Sequence, residues 1–307
     1  MRKLSESRKM YYSVMTVFAI YAVIFILFED YDQHYLSPFK ESSDWHLLSF
    51  SVVVMALLGG LLHHYSRRMD ERISREQADK ENKMRRELTQ NISHELKTPV
   101  TSILGYTETI LEHPDLDVET RLQFIKRTQS QAQRLAALLQ DISTLNRMDY
   151  ANDIIAMEQV NVSTIVEEIV QETSLAASRR RMTINNLLPL DIVIEKGNSS
   201  LIYSIFRNLM DNAINYAGEG TSITIVASDA GKLWQFTFAD NGKGIDNKHL
   251  PRIFERFYRI DKGRSRELGG TGLGLAIVKN AVVLHGGTIQ AHPSQGGGLC
   301  FDFTLKK

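Results

Sequence analysis

The stretch Ser93-His94-Glu95-Leu96-Lys97-Thr98-Pro99-Val100 decides how the rest of this chain is interpreted. It lies inside a run with helical spacing, from about Met84 to Glu112, in which Pro99 is the one proline. Proline removes a backbone donor and clashes with the preceding turn, so the pattern predicts a helix that bends near 95–98. His94 is one of nine histidines, and a single histidine on a helix is ordinarily a polar surface residue. Its meaning therefore depends on the sequence around it.

A second helix is predicted from about Val118 to Met148, after a loop at 113–117 in which Asp117 is a good N-cap. Its apolar residues step by three, four and seven, the spacing of a stripe that faces a core. Two antiparallel helices cannot bury such stripes alone, so the sequence predicts an all-α dimerising hairpin that forms a four-helix bundle in a homodimer. The stripe consists of Val118, Leu122, Ile125, Ala132, Leu135, Leu139, Ile142 and Leu145.

After Met148 the pattern changes to alternating strands and helices, which predicts an α/β sandwich with one layer of mixed sheet and one of helices. Cys300 is the only cysteine of the chain, so disulfides and multi-thiolate metal sites are excluded, and alternation places it as a small buried residue in a strand. Helices are predicted at 163–178, 199–216 and 273–284, and strands at 192–194, 222–227, 235–239, 287–290 and 299–305.

Two stretches of this domain carry oxygen ligands. Asn208 and Asn212 are four residues apart on a predicted helix, so their carboxamides share a face, and carboxamide oxygen suits Mg²⁺. Asp240-Asn-Gly242-Lys-Gly244 ends an apolar strand, where a carboxylate can accept from an exocyclic amine while the glycines turn the backbone away. A plain hairpin turn is the alternative for this second stretch.

Two further stretches suit anions. Phe254-Glu-Arg-Phe-Tyr-Arg259 combines aromatic rings that can dock with arginines that can bind phosphate. Gly269-Gly-Thr-Gly-Leu-Gly274 opens an apolar helix and exposes backbone N–H groups at the positive end of its dipole. The second stretch is neither a Walker nor a Rossmann loop, because no Gly-Lys-Ser/Thr follows and no βαβ crossover surrounds it.

The N-terminal region departs from the composition of a soluble protein. Residues 10–28 contain no charged residue and span roughly 28 Å as a helix, close to the thickness of the bilayer core. Residues 45–66 form a second uncharged run, and Lys/Arg residues cluster outside these two runs rather than between them. The sequence therefore predicts two transmembrane helices in a plasma membrane, a short outer loop and C-terminal domains on the cytoplasmic side. A cleaved signal peptide is the alternative for the first run.

The four stretches, in this order and after the His94 stretch, resemble the transmembrane sensor histidine kinases of two-component systems. The resemblance covers about 84–307, and NISHELKTPVTSILGYTETIL is similar to the phosphate-starvation sensor group. It implies an ATP-binding domain of the histidine kinase/gyrase/chaperone type. The expected organisation is a membrane anchor at 1–66, a charged helical linker at 67–83, a dimerisation and phosphotransfer domain at 84–149 and a catalytic domain at 150–307.

The resemblance implies that ATP phosphorylates His94, that Glu95 takes the ring proton and that Thr98 positions water to dephosphorylate the partner. Mg²⁺ is expected on Asn212, with Asn208 beside it, and the adenine amine on Asp240. Arg259 and Arg264 are expected at the γ-phosphate, in or beside a mobile lid at 247–268. The implied nucleotide-binding set is Asn208, Asn212, Tyr216, Asp240, Gly242, Gly244, Arg259, Arg264, Gly270, Thr271, Gly272, Leu273 and Gly274.

Two partners are expected: the receiver domain of a cognate response regulator and the lipid bilayer. Equal numbers of Lys+Arg and Asp+Glu, 36 each, give no field that would attract nucleic acid. Asn215 stands where relatives often carry Lys, which removes one expected phosphate contact unless Arg259 or Lys243 replaces it. The short outer loop favours sensing within the membrane or through a partner membrane protein such as a transporter. An ATP-binding scaffold or phosphatase without kinase output, and a gyrase-like ATPase, are the alternatives.

Overall fold

The computed structural model describes residues 20, 23, 43–149, 156–261, 270–294 and 296–307. Its contacts divide the chain into Met1–Arg86 and Glu87–Lys307, which are described separately. The predicted membrane run at 45–66 is helical, whereas the run at 10–28 lies outside the described residues except for Ile20 and Val23. In the described part of the chain, no helix combines the length and the apolarity needed to cross a membrane.

The first helix, α1, comprises Ser43–Glu112 and contains Pro99. Within the unit Met1–Arg86, residues 43–86 belong to this helix, which therefore includes the predicted linker at 67–83. Mixed charges without proline or glycine favour a helix over 67–83, because side chains three or four residues apart can pair in water.

In the unit Glu87–Lys307, α1 ends at Glu112 and α2 follows as Val118–Asp149, close to the predicted bounds. Asp117 begins α2 as expected, since its carboxylate accepts from the Thr120 N–H at 2.8 Å. The predicted apolar stripe is fully buried in this single chain only at Leu145. Val118, Leu122 and Ile125 expose 82%, 47% and 50% of their surface.

The C-terminal domain contains three helices: α3 (Val162–Arg179), α4 (Ser199–Tyr216) and α5 (Gly274–Leu284). Asparagine side chains begin the first two, because Asn161 accepts from the Thr164 N–H and Asn198 from the Leu201 N–H. The seven strands are β1 (Glu158–Asn161), β2 (Thr183–Asn186), β3 (Val193–Gly197), β4 (Ser222–Asp229), β5 (Leu233–Asp240), β6 (Ile289–Pro293) and β7 (Leu299–Lys306).

Five strands form one mixed sheet in the order β2-β4-β5-β7-β6, in which only β2 and β4 are parallel. Beside it β1 and β3 form a two-stranded antiparallel sheet that the sequence did not predict. The strand β2 was also missed, because its four residues TINN carry no apolar alternation that distinguishes them from a loop.

Helices cover one face of the five-stranded sheet, and α4 packs against both α3 and α5. Phe236 and Phe303 are register partners on β5 and β7, and their rings stack at 5.1 Å. Phe206 on α4 meets both rings edge-on, at 5.5 and 5.6 Å, and all three side chains are at most 1% exposed. This aromatic cluster fixes α4, and with it Asn208 and Asn212, relative to the sheet.

Candidate functional site

A cleft of about 740 Å³ lies between α4, the end of β5 and the start of α5. It brings together residues that are up to 93 positions apart, from 208 to 301. The predicted residues that line it are Asn208, Asn212, Tyr216, Asp240, Gly244, Arg259, Gly270, Thr271, Gly272 and Gly274. Gly242 and Leu273 do not line it, and Arg264 lies outside the described residues.

Asp240 is the last residue of β5 and is only 7% exposed. Its Oδ1 accepts the Gly242 N–H at 2.9 Å, so the carboxylate closes the turn and lines the cleft at the same time. Burial raises the pKa of Asp240, while the bonds from the Gly242 and Leu299 N–H groups oppose that shift. At Gly242 a Cβ atom would lie 2.3 Å from the Ala217 carbonyl oxygen, so only glycine lets this turn approach the end of α4.

The two asparagines of α4 differ in their contacts. Asn208 Nδ2 donates to the Ser204 carbonyl at 2.8 Å, and its Oδ1 lies so near Gly274 that a Cβ there would be 2.5 Å away. Asn212 lines the cleft, and its side chain makes no hydrogen bond to any residue that the structure describes. Its carboxamide oxygen therefore fits a hard cation, whereas the Asn208 side chain braces the start of α5.

The glycine-rich segment reaches the cleft through its backbone. Gly272 has φ +75°, and a Cβ there would lie 3.1 Å from both Arg259 Nε and Phe257 Cα. Phe257 itself has φ +62° and donates its N–H to the Gly272 carbonyl at 2.8 Å. Leu273 is fully buried and anchors the segment in the core instead of contacting a ligand. The Arg259 segment and the glycine segment are thus locked to each other.

His94 lies on α1 and is exposed, and the Thr98 hydroxyl donates back to the His94 carbonyl at 3.2 Å. Glu95 is largely buried, with 14% of its side chain exposed. Its Oε2 accepts from Arg134 Nη2 at 3.2 Å and from Arg259 Nη2 at 3.1 Å. The side chains of these arginines are 8% and 5% exposed, so the carboxylate and both cations share a nearly dry site.

Arg259 connects this cluster to the cleft. Its guanidinium lines the cleft, and its Nε is buried without a hydrogen-bond partner among the described residues. A buried, unpaired N–H is costly, and it fits an anion supplied by a bound ligand. His94, Glu95 and Thr98 do not themselves line the cleft, but Glu95 contacts a residue that does.

Two more bonds hold the C-terminal α/β domain on α2. Thr271 donates to Asp141 Oδ2 at 2.7 Å, and Arg256 pairs with Asp149 Oδ1 at 2.7 Å. Burial raises the pKa of Asp141, opposed by the Thr271 hydrogen bond. Together with the Arg259–Glu95 pair, these contacts place the glycine-rich segment and the Arg259 segment against the helical hairpin that carries His94.

The sequence did not single out several residues that the structure places here. Arg134 on α2 reaches Glu95 across 39 positions, and neither helical spacing nor charge indicates that contact. Tyr258 and His249 line the cleft and are joined by a 2.7 Å contact between the tyrosine hydroxyl and Nδ1. Lys243, which the sequence did offer as a phosphate contact, lines the cleft together with Asn215.

Comparison with known proteins agrees with this arrangement. The His Kinase A (phospho-acceptor) domain matches residues 84–151, and the Histidine kinase-, DNA gyrase B-, and HSP90-like ATPase matches residues 197–307. The chain is 30% identical over 288 residues to the sensor protein kinase WalK of Staphylococcus aureus, covering 89% of this chain and 68% of that one. It therefore belongs to the sensor histidine kinases of two-component systems.

This chain spans a smaller share of the length of other relatives. The sensor-like histidine kinase SenX3 of Mycolicibacterium smegmatis is 35% identical over 221 residues, which is 72% of this chain and 57% of that protein. The solved structure of histidine kinase ThkA in complex with the response regulator protein TrrA superposes with a TM-score of 0.55. At 21% identity, over 72% of this chain and 61% of that one, it supports the shared fold.

Proposed function

We propose that this chain is a protein-histidine kinase that phosphorylates its own His94 with ATP and then passes the phosphoryl group to an aspartate of a response regulator. The observation that carries the proposal is the Arg259–Glu95 contact at 3.1 Å. It joins a cation that lines the cleft to the carboxylate next to His94, within a single chain. The other two contacts with the hairpin, Thr271–Asp141 and Arg256–Asp149, reach α2 and not the helix that carries His94.

In this proposal the nucleotide is held mainly by the rigid parts of the cleft. Asp240 accepts the adenine amine, and its buried position makes the pairing selective. The phosphates meet the backbone of Gly272 and Gly274 at the start of α5. Asn212 holds Mg²⁺, which supplies neutralisation of the phosphate charge when bound.

The chemical step needs a nucleophile and a place for its proton. An imidazole nitrogen of His94 attacks the γ-phosphorus, the bond from that phosphorus to the bridging oxygen breaks, and ADP leaves with the electron pair. The ring proton passes to the Glu95 carboxylate. Because Arg259 contacts Glu95 here, the γ-phosphate must compete with that carboxylate for the guanidinium. Arrival of ATP then frees Glu95 to accept the proton, while Arg134 keeps it close to His94.

We propose further that phosphorylation occurs within one subunit. The contacts Arg259–Glu95, Thr271–Asp141 and Arg256–Asp149 all join the catalytic domain to the hairpin of the same chain. Transfer to the partner would require all of them to be exchanged between subunits.

The remaining proposals rest on the sequence and the family. The uncharged runs at 10–28 and 45–66 support a membrane anchor with cytoplasmic catalytic domains, and the flanking arginines and lysines support that orientation. The exposed stripe on α2 supports a homodimer. A receiver domain such as the TrrA partner of ThkA would dock beside His94, with Thr98 assisting dephosphorylation. The assignment to the phosphate-starvation sensor group is also proposed from the sequence and the family.

Incubation of the purified chain with γ-labelled ATP and Mg²⁺ tests the kinase proposal. The expected product is an acid-labile label on the protein that is absent from His94→Gln. His113→Gln is the matched control, because His113 is an exposed histidine at the other end of the same hairpin. Label that survives in His94→Gln, or no label in the wild type, would show that this chain does not phosphorylate His94.

Mixed dimers test transfer within one subunit. One subunit carries His94→Gln and the other Asp240→Asn, so that neither has both an acceptor and a nucleotide site. We expect no label above that of the two separate variants. Wild-type chain in isolated mixed dimers with the doubly substituted subunit should still become labelled, which shows that mixed dimers are competent. Label on the Asp240→Asn subunit would establish transfer between subunits and leave the kinase proposal intact.

A further inference from the structure

The outer face of the five-stranded sheet, opposite its helices, carries a cluster of three different potential metal ligands. His292 on β6 and Cys300 on β7 are register partners, and Asp302 lies two residues further along β7, on the same side as Cys300. One ligand atom from each of these residues lies within 4.8 Å of the others. The cluster is separate from the nucleotide cleft, whose lining includes none of the three.

The contacts within the cluster place nitrogen, oxygen and sulfur around one point. His292 Nε2 lies 2.7 Å from Asp302 Oδ2, and Cys300 Sγ lies 3.9 Å from Asp302 Oδ1. Ligand atoms of a four-coordinate Zn²⁺ ion, at about 2.0 to 2.3 Å from the metal, are separated by roughly 3 to 4 Å. Small side-chain movements therefore suffice to bring the three atoms to the ligand spacing of such an ion.

Hydrogen bonds to neighbouring groups hold the His292 ring and the Asp302 carboxylate in the way that metal ligands are usually held. His292 Nδ1 contacts the Pro293 carbonyl at 3.0 Å, so the N–H on that nitrogen donates to a backbone oxygen and leaves Nε2 to face the cluster. Histidine ligands characteristically donate their other ring N–H to a carbonyl or carboxylate in this way. Thr237 on β5 donates its hydroxyl to Asp302 Oδ1 at 2.5 Å and holds the carboxylate in place.

A plain ion pair between His292 and Asp302 explains only part of this arrangement. Their side chains are 49% and 36% exposed, and pairs so exposed contribute little to stability. The pair also does not account for a thiol, 5% exposed, beside both groups on the same rigid strands. Imidazole, thiolate and carboxylate together suit borderline divalent ions of the Zn²⁺ class better than Mg²⁺ or Ca²⁺.

We propose that His292 Nε2, Cys300 Sγ and a carboxylate oxygen of Asp302 bind one divalent transition-metal ion of the Zn²⁺ class, with water on the exposed side as the fourth ligand. On binding, the metal–sulfur bond replaces the S–H bond of Cys300 and that proton is released to solvent. Any proton on His292 Nε2 is released in the same way. No electron transfer is involved.

The position of this site gives it a route to the nucleotide cleft. Leu299 and Phe301 flank Cys300 on β7, and both line the cleft from the other face of that strand. The Leu299 N–H also bonds the Asp240 carboxylate. An ion that fixes β7 on its outer face thus fixes the wall against which the nucleotide lies.

The test is a titration of the purified, fully reduced full-length chain with Co²⁺, followed by absorption spectroscopy. Co²⁺ bound to a thiolate gives a sulfur-to-metal charge-transfer band, and Cys300 is the only cysteine that can supply it. We expect the band to saturate at one ion per chain, to disappear on addition of Zn²⁺ and to be absent in Cys300→Ser. His292→Gln and Asp302→Asn should each weaken binding at least about tenfold.

His113→Gln is the matched control and should bind Co²⁺ as the wild type does. Circular dichroism on each variant checks that the domain stays folded. Absence of the band in the wild type overturns the proposal, and so does a band whose titration is unchanged in His292→Gln, since that would be binding to a thiol alone. The labelling of His94 by ATP is measured separately on metal-stripped protein, so failure here leaves the kinase proposal standing.

Discussion

The helical hairpin and the α/β domain bury their apolar residues to very different extents. The α/β domain closes a core in which Phe206, Phe236 and Phe303 are at most 1% exposed. In the hairpin, seven large apolar residues expose 40% to 82% of their surface. They are Val100, Leu104, Leu111, Val118, Leu122, Ile125 and Leu139. One region is complete within a single chain, whereas the other presents an apolar surface that still needs a partner.

This difference separates the roles of the two regions. A rigid, self-contained domain can hold a nucleotide whether or not the hairpin is paired. An open hairpin can instead respond to how its helices pack, because its free energy depends on contacts made outside the single chain. The hydrogen bonds that Glu95, Asp141 and Asp149 accept join the hairpin to the α/β domain.

The largest effect is expected from a cavity in the complete region. Phe236→Ala should lower the free energy of unfolding of the α/β domain by about 3 to 5 kcal/mol, because the ring is fully buried between two others. Urea denaturation followed by tryptophan fluorescence measures this, since Trp234 lies on the same strand. Leu122→Ala, at an exposed hairpin position, should cost far less in the isolated subunit, and equal losses would contradict the comparison.

A charge on the open surface should act on assembly instead. Leu122→Glu is expected to weaken self-association about a thousandfold or more, since each of two symmetric copies would bury a carboxylate at a cost of about 2 kcal/mol or more. Sedimentation velocity across a concentration series measures this. ATP binding should stay unchanged, because Leu122 is not among the residues that line the cleft. Loss of ATP binding without loss of the dimer would show that the stripe serves another purpose.

A smaller effect is expected where α5 meets α4. Gly274→Ala would place a methyl group 2.5 Å from Asn208 Oδ1, so the side chain or the helix start must move. We expect nucleotide affinity to fall about tenfold, or about 1.4 kcal/mol, as measured by calorimetry. Gly105→Ala is the control, since a Cβ there meets nothing within 4 Å. Unchanged nucleotide affinity in Gly274→Ala would show that the Asn208 side chain can move aside without disturbing the cleft.

The smallest effect concerns pH. His285 is 4% exposed, its Nδ1–H donates to the Ala281 carbonyl at 2.7 Å, and its Nε2 accepts the Asn198 N–H at 3.0 Å. The bond that Nε2 accepts requires the neutral ring, and burial lowers the pKa of His285, although the bond to the Ala281 carbonyl opposes that shift. Its contribution to stability is therefore complete above the unfolded pKa of 6.5 and is lost as pH falls below that value.

Unfolding free energies at about pH 7.5 and about pH 5.5 test this for the wild type and for His285→Gln. The wild type should lose more stability on acidification than the variant does. Comparing the two chains is necessary because burial also raises the pKa values of Asp141 and Asp240, which favours the folded state in acid. The same slope in both chains would show that His285 is not the group responsible.

Much of this molecule followed from local sequence pattern. Asp117 as N-cap, the bounds of α2 and α4 and the burial of Cys300 were predicted from spacing and residue type, and the structure agrees. The cleft residues were found because glycines, a strand-ending aspartate and paired asparagines are unusual in combination. The strands β1 and β2 were missed, because four-residue strands carry too little periodicity.

By itself the sequence indicated many of the residues that line the cleft, because ligand-binding groups reveal themselves by type and by local spacing. Only the tertiary structure decided which residues meet. Arg134, Glu95 and Arg259 converge from positions 39 and 164 residues apart, and His292, Cys300 and Asp302 gather across two strands. Such contacts depend on how helices and strands pack, and packing is a property of the whole core that no local pattern records.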